Sequence, residues 1–357
     1  MALRARSSLR ISSVCALGAI GWLTLGLLTL AAEAADVGKT KGAWRAPRTE
    51  SGQPDLQGVW TNATITRLER STEFGDRLIL TDAEAKVLEE GEEASLSAGD
   101  APSDLKQGAI AVNAKCDLKG FSGVDCAYNS FWISSGTQVV TVNGEKRSSI
   151  IVEPRNGRVP PLTPARQAFM AERARNMRGN FDGPEARPLG ERCLLSFGSS
   201  SGPPMLPSLY NNNYQITQTK DTVIILVEMV HDARIVRLGG QHLPKHIRKW
   251  MGDSIGRWEG DTLVVETTNF NDKSNFRGAT ENLKVIERFT RVSPHAISYQ
   301  FRIEDAEAFT QPWAGELTFT ASDEKIYEYA CHEGNYALPG ILAGAREAEK
   351  TPAAAKP

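Results

Sequence analysis

The feature that most constrains this chain is a succession of short strand-like runs in its second half with almost no helix between them. Apolar and β-branched residues recur over 213–219, 222–230, 234–238, 262–268, 283–291, 296–303, 314–320 and 326–331, separated by turn residues. A parallel α/β fold needs a long crossover, usually a helix, between successive strands, and there are too few helices for that. The expected fold is therefore mainly β, an antiparallel barrel or sandwich with a few peripheral helices. "DTVIILVEMV" is apolar on both faces and reads as a buried central strand. "ISYQFRIE" alternates as a half-exposed strand does.

Turn and cap chemistry place the remaining elements. Asn143-Gly144 lies between two strand-like runs and suits a type I′ hairpin turn, whose central residues both need positive φ. Asn156-Gly157 marks another turn. Thr81 and Glu84 form a capping box ahead of a helix over 82–96. Thr163 as N-cap and Pro164 at the first helical position predict a second helix over 164–177. The Gly-, Ser- and Pro-rich stretch 179–208 is long for a structureless loop and reads as a lid or rim. In "MGDSIGRWEGDTLVVETTNFND", 254–258 is a lead-in, Glu259-Gly260-Asp261 a turn and Thr262–Phe270 a strand. Trp258 then covers the core.

The N-terminus reads as an export signal. Arg4, Arg6 and Arg10 precede an uncharged, mostly apolar run from Val14 to Leu30, and Ala32-Glu33-Ala34 supplies a small–x–small cleavage pattern. Residues 1–34 are thus expected to be removed, 35–53 to form a flexible arm, 54–345 a single β-rich domain and 346–357 a disordered tail. No second long apolar run exists, so no stable membrane insertion is expected after cleavage. The whole chain is formally −2. That balance gives no support for nucleic acid as a partner, which needs a basic face. Four cysteines follow the signal: Cys116, Cys126, Cys193 and Cys331. In an exported chain they read as disulfides, with three possible pairings, of which Cys116–Cys126 and Cys193–Cys331 are favoured. Their spacing fits no zinc pattern.

"GQPDLQGVW", "MVHDARIVRL", "GDSIGRWEGDTLVVETTNF" and "YACHEGNYAL" together resemble a family of secreted bacterial proteins over roughly residues 45 to 345. The resemblance implies export and a shared β-rich fold of lipocalin-like type. It carries over no reaction and no catalytic residues.

Several polar groups stand out. His231 and Asp232 fall between two strands; a histidine beside carboxylates can act as a general base. Arg234 suits an anion clamp. His332 and Glu333 follow Cys331 and form a second acid/base candidate. Asp253, Trp258, Glu266, Asn269 and Tyr336 are candidate ligand-binding residues. Glu266 shares a strand face with Val264 and enters the interior only if that face does. His242 and His246 are spaced i, i+4, but Pro244 separates them and there is no HExxH, so no metal and no cofactor is expected. "SFGSSSG" lacks a nucleophile elbow. The leading expectation is a binder of a small, partly apolar molecule in a barrel-type pocket. The rivals are a cofactor-independent lyase, isomerase or hydrolase using His231, Asp232 and Arg234 with His332 and Glu333, and an envelope interaction module.

Overall fold

The computed structural model describes residues 44–99, 133–177, 180–196, 202–274 and 276–350. The expected signal segment, the start of the arm, the Cys116–Cys126 pair and the last seven residues of the tail lie outside them.

Nine strands close into a barrel. They are β1 (Gly58–Thr61), β5 (Asn213–Gln218), β6 (Thr222–Val227), β7 (Asp232–Leu238), β8 (Asp253–Glu259), β9 (Thr262–Thr268), β10 (Lys284–Ser293), β11 (Ala296–Glu304) and β12 (Trp313–Ala321). They are hydrogen-bonded in that order, and β1 closes the ring on β12 through Trp60↔Ala321 and Thr61↔Thr320. β1 is short, so the other end of β12 pairs with β4 (Ile151–Glu153) through Gly315↔Ile151 and Ala314↔Glu153. A Cβ on Gly315 would lie 2.4 Å from the Phe301 ring and 2.9 Å from the Ile150 carbonyl. Glycine is what lets β4 and Phe301 approach together there. The expected hairpin joins two short strands, β2 (Thr141–Val142) and β3 (Glu145–Lys146), and Asn143 and Gly144 both have positive φ.

Barrel rather than sandwich explains two departures from expectation. β6 is not buried on both faces: Val223, Ile225 and Val227 fill the lumen, while Ile224 and Leu226 lie half-buried on the outside. Residues 326–330 form no strand. With the ring already closed there is no edge for them to join, and they run as an irregular strap.

β7 and β8 run parallel, unlike the other pairs of the ring. The crossover that this requires runs from Gly239 to Gly252. A Cβ on Gly252, at φ +72°, would fall 2.6 Å from Thr267 Cγ2 and 2.7 Å from the Thr268 carbonyl. The crossover therefore enters β8 through a residue that must be glycine.

The capping box is formed: Thr81 N–H donates to Glu84 Oε2 (2.8 Å) and Glu84 N–H to Thr81 Oγ1 (3.2 Å). It starts α1 (Asp82–Gly99). α2 (Pro164–Met177) begins with Thr163 Oγ1 accepting from Arg166 N–H at 3.3 Å. α3 (Ala337–Lys350) extends into the region expected to be tail. Residues 49–53, expected as arm, form a turn beside Arg48, which pairs with Asp261.

Candidate functional site

The lumen is closed by its own side chains. Trp60, Tyr214, Phe289, Tyr299, Trp313 and Phe319 are all almost fully buried inside it, with ring centroids such as Tyr299–Phe319 at 4.9 Å. Among them sits an ion pair. Arg234 Nη1 and Nη2 donate to Glu287 Oε1 and Oε2 at 3.1 and 2.5 Å, and neither side chain is more than 1% exposed. Tyr299 Oη donates to the same carboxylate (2.8 Å) and accepts from Met205 N–H (2.9 Å). Burial works against the charge on Arg234, and the adjacent carboxylate outweighs it. Burial pushes the Tyr299 and Tyr214 phenols well up. Arg234 thus has its anion already, inside the packed lumen.

The other catalytic candidates lie elsewhere. His231 is exposed at the β6–β7 turn, where it and Val230 both adopt left-handed φ, 61° and 63°. Its Nδ1 accepts from Tyr329 N–H at 3.5 Å, and Tyr327 N–H donates to the buried Glu228 at 3.3 Å, so the strap crosses this turn. Burial raises the pKa of Asp232, with His231 opposing. His332 and Glu333 are exposed beyond Cys331, which is bonded to Cys193. Tyr336 is 83% exposed.

Three of the five ligand-binding candidates come together, with His242, beneath the crossover. Val264 and Glu266 face outward from β9; Leu263, Val265 and Thr267 face the lumen. The Asp253 carboxylate, fully buried, accepts from Arg237 (2.9 and 3.0 Å) and Leu243 N–H (3.0 Å), with His242 Nδ1 at 3.2 Å. His242 Nε2 lies 3.4 Å from Glu266, which pairs with Lys284 at 2.8 Å. Asn269 Nδ2 donates to the Leu243 carbonyl at 2.9 Å. Burial alone would raise Asp253; Arg237, Leu243 N–H and His242 outweigh it and hold its pKa well below the carboxylate range. Glu266 is likewise held down by Lys284 against burial. Every carboxylate here is partnered, so the cluster is a clasp for the crossover. Trp258 lies apart, packed on the lumen core. Among the described residues no group of three or more His, Cys, Asp or Glu is placed to hold a metal.

An open cavity of about 420 Å³ lies beside the barrel. Its walls come from residues 64–74, α1, the stretch 133–150 and 206–209. Ile65, Leu68, Phe74, Leu88, Val139 and Leu206 give it an apolar side, while threonines, serines, arginines and the carboxylates Glu73 and Glu92 line the rest. Ser71, Ser135 and Ser208 line it with hydroxyls that make no hydrogen bond among the described residues, and Arg67 and Arg277 reach it from two different loops. α1 is held over it by the capping box and by Arg77, whose two bonds to Glu84 (2.7 and 2.6 Å) pull that carboxylate down to about 2. A second cavity, about 450 Å³, lies between α2 and residues 180–192 and is lined by a mixture of charged, polar and apolar side chains.

The residues lining the first cavity carry no signal in the sequence. Arg277 sits in "NFRGA", an irregular turn with no periodicity to point at it. Glu287 does leave a signal: in "KVIERF" it is the one carboxylate on the face shared by Val285 and Phe289.

No protein-family model, no curated protein and no solved structure matches this chain.

Proposed function

We propose that this is an exported barrel protein that binds a small, partly apolar molecule, and that the molecule sits in the cavity beside the barrel. The observation that carries this is the contrast between a packed lumen and an adjoining cavity of about 420 Å³ with a partly apolar wall and unused hydroxyls. That volume lies within the roughly 300–1,000 Å³ usual for small-molecule sites. Export is supported by the Cys193–Cys331 disulfide, which belongs to an oxidising compartment, and by the N-terminal pattern. The resemblance of four sequence motifs to those of secreted bacterial proteins points the same way. The enzyme reading draws on His231 beside the half-buried Asp232, but Arg234 and Glu287 satisfy each other and leave it without an anion clamp.

The test is native mass spectrometry of protein purified from its export compartment, wild type against Leu88→Trp. Leu88 is on α1, 38% exposed, and lines the cavity. A small molecule carried by the wild type and missing from the variant, at equal thermal stability, is the expected result. An empty wild type, or equal loading of both proteins, would overturn the proposal.

A further inference from the structure

If the cavity is a binding site, as proposed above, its two arginines define the chemistry of the ligand more narrowly. Arg67 and Arg277 both line it, and among the described residues neither guanidinium makes a hydrogen bond or ion pair. Arg147, the third arginine of the wall, differs: it is buried and already bonded to Glu316 and Glu145, at 2.8 Å each. Arg277 is exposed and lines the cavity, and the protein packed around part of it lowers its pKa by desolvation. Glu69 opposes that shift through space, but its carboxylate accepts from Val159 N–H (2.8 Å) instead of pairing with Arg277.

The backbone reinforces the placement. Arg277 holds φ +49°, a left-handed conformation that non-glycine residues rarely adopt. The next residue, Gly278, is buried at φ +89°, where a Cβ would lie 3.0 Å from Leu162. A turn fixed in this way presents the guanidinium at the cavity without any carboxylate bound to it. A cation that has lost part of its water and gained no partner is costly, and an anion from outside would offset that cost. Guanidinium groups recognise carboxylate, sulfonate and phosphate by charge-assisted, often paired, hydrogen bonds. The hydroxyls of Ser71, Ser135 and Ser208 add donors for the same oxygens. Beyond them Ile65, Leu68, Phe74 and Leu88 supply an apolar side. The carboxylates of Glu73 and Glu92 also line the cavity, so the acidic head is placed by the arginines and not by a uniformly positive wall.

We propose that the cavity takes an amphipathic anion, an apolar body with one acidic head group held by Arg67 and Arg277. The acidic head lies at the arginines, and the body lies along Ile65, Leu68, Phe74 and Leu88.

Two fluorescent probes of similar apolar body separate this inference from the reading beneath it: anilinonaphthalene sulfonate, which carries an anionic group, and the neutral phenylnaphthylamine. Each is titrated into the full-length wild type, Arg67→Gln, Arg277→Gln, the double glutamine variant and Leu88→Trp. Both arginines are exposed and unbonded among the described residues, so the glutamine variants keep the fold, checked by an unchanged thermal midpoint. The expected result is tighter binding of the sulfonate in the wild type, an about tenfold loss in each single variant, a larger loss in the double, and no change for the neutral probe. Leu88→Trp loses both. If both probes bind equally and the glutamine variants change neither, the cavity is a site for neutral molecules and this inference is overturned while the binding reading stands. If neither probe binds, or Leu88→Trp leaves both unchanged, the binding reading falls and takes this inference with it.

Discussion

Replacing Glu287 with Gln keeps the side chain's size and removes only its charge. In the lumen that charge is the partner of Arg234, bonded through both carboxylate oxygens, with Tyr299 as a third donor. Neither member of the pair is in contact with solvent to any useful degree. The amide would accept one of these bonds and turn its NH₂ towards a donor, leaving a guanidinium buried without a counter-charge. Breaking a buried pair in this way costs about 3–5 kcal/mol. Equilibrium urea unfolding with the disulfide intact, followed by tryptophan fluorescence, should show a lower midpoint with an unchanged slope. The control is the double variant Arg234→Met/Glu287→Leu, which removes both charges and should stay within about 2 kcal/mol of wild type or exceed it. A loss below about 1 kcal/mol for Glu287→Gln would refute the reasoning, because it would mean that water reaches the guanidinium and the lumen is not packed. A double variant as damaged as the single would refute it too.

Reducing Cys193–Cys331, or replacing both cysteines with serine, should cost about 5 kcal/mol in the chain-entropy description of a cross-link closing 138 residues; the unfolding midpoint with and without reductant measures it. The Asp253 pKa is lower in the folded protein than the about 3.9 of an unfolded chain. Its contribution to stability is therefore complete above about pH 4 and is lost as pH falls through the folded value. Asp253→Asn should be less stable than wild type at neutral pH, and the gap should narrow on acidification below pH ~4; an unchanged gap would remove Asp253 from the clasp. Gly315→Ala should destabilise by about 1–3 kcal/mol through overpacking against Phe301 and Ile150, measured by thermal unfolding.

Much of the barrel is legible in the chain because its signals are local. Alternation names most of the strands from 213 to 320, though β8 (Asp253–Glu259) reads only as the lead-in to a turn; Asn143-Gly144 names its hairpin, and Thr81 with Glu84 names a helix start. The even count of cysteines after residue 34 points to disulfides but leaves three pairings, and the structure forms one of the favoured pairs, Cys193–Cys331. What is not legible depends on closure. Whether β6 has one buried face or two depends on whether a second layer covers it, and the apolar residues Ile224 and Leu226 do not reveal that. The parallel β7–β8 pair depends on where the crossover lands, which Asp253 and Asn269 hold from a distance in sequence. Those two residues stand out as polar groups beside a strand, and their partners show them holding a loop. His231 and Arg234 stand out as neighbours in sequence, but a strand sends Arg234 into the lumen while the turn leaves His231 exposed. The cavity is illegible because its arginines belong to two loops, one near residue 67 and one near 277, that only the fold brings to one wall.

The most direct measurement of the central claim is amide hydrogen exchange with and without bound phenylnaphthylamine. A molecule in the cavity beside the barrel should slow exchange in 64–74 and 206–209, and leave the His231 turn and the strap at 326–330 unchanged. Slowed exchange at the turn and strap, with 64–74 unaffected, would contradict the account and move the site to the His231 end of the molecule.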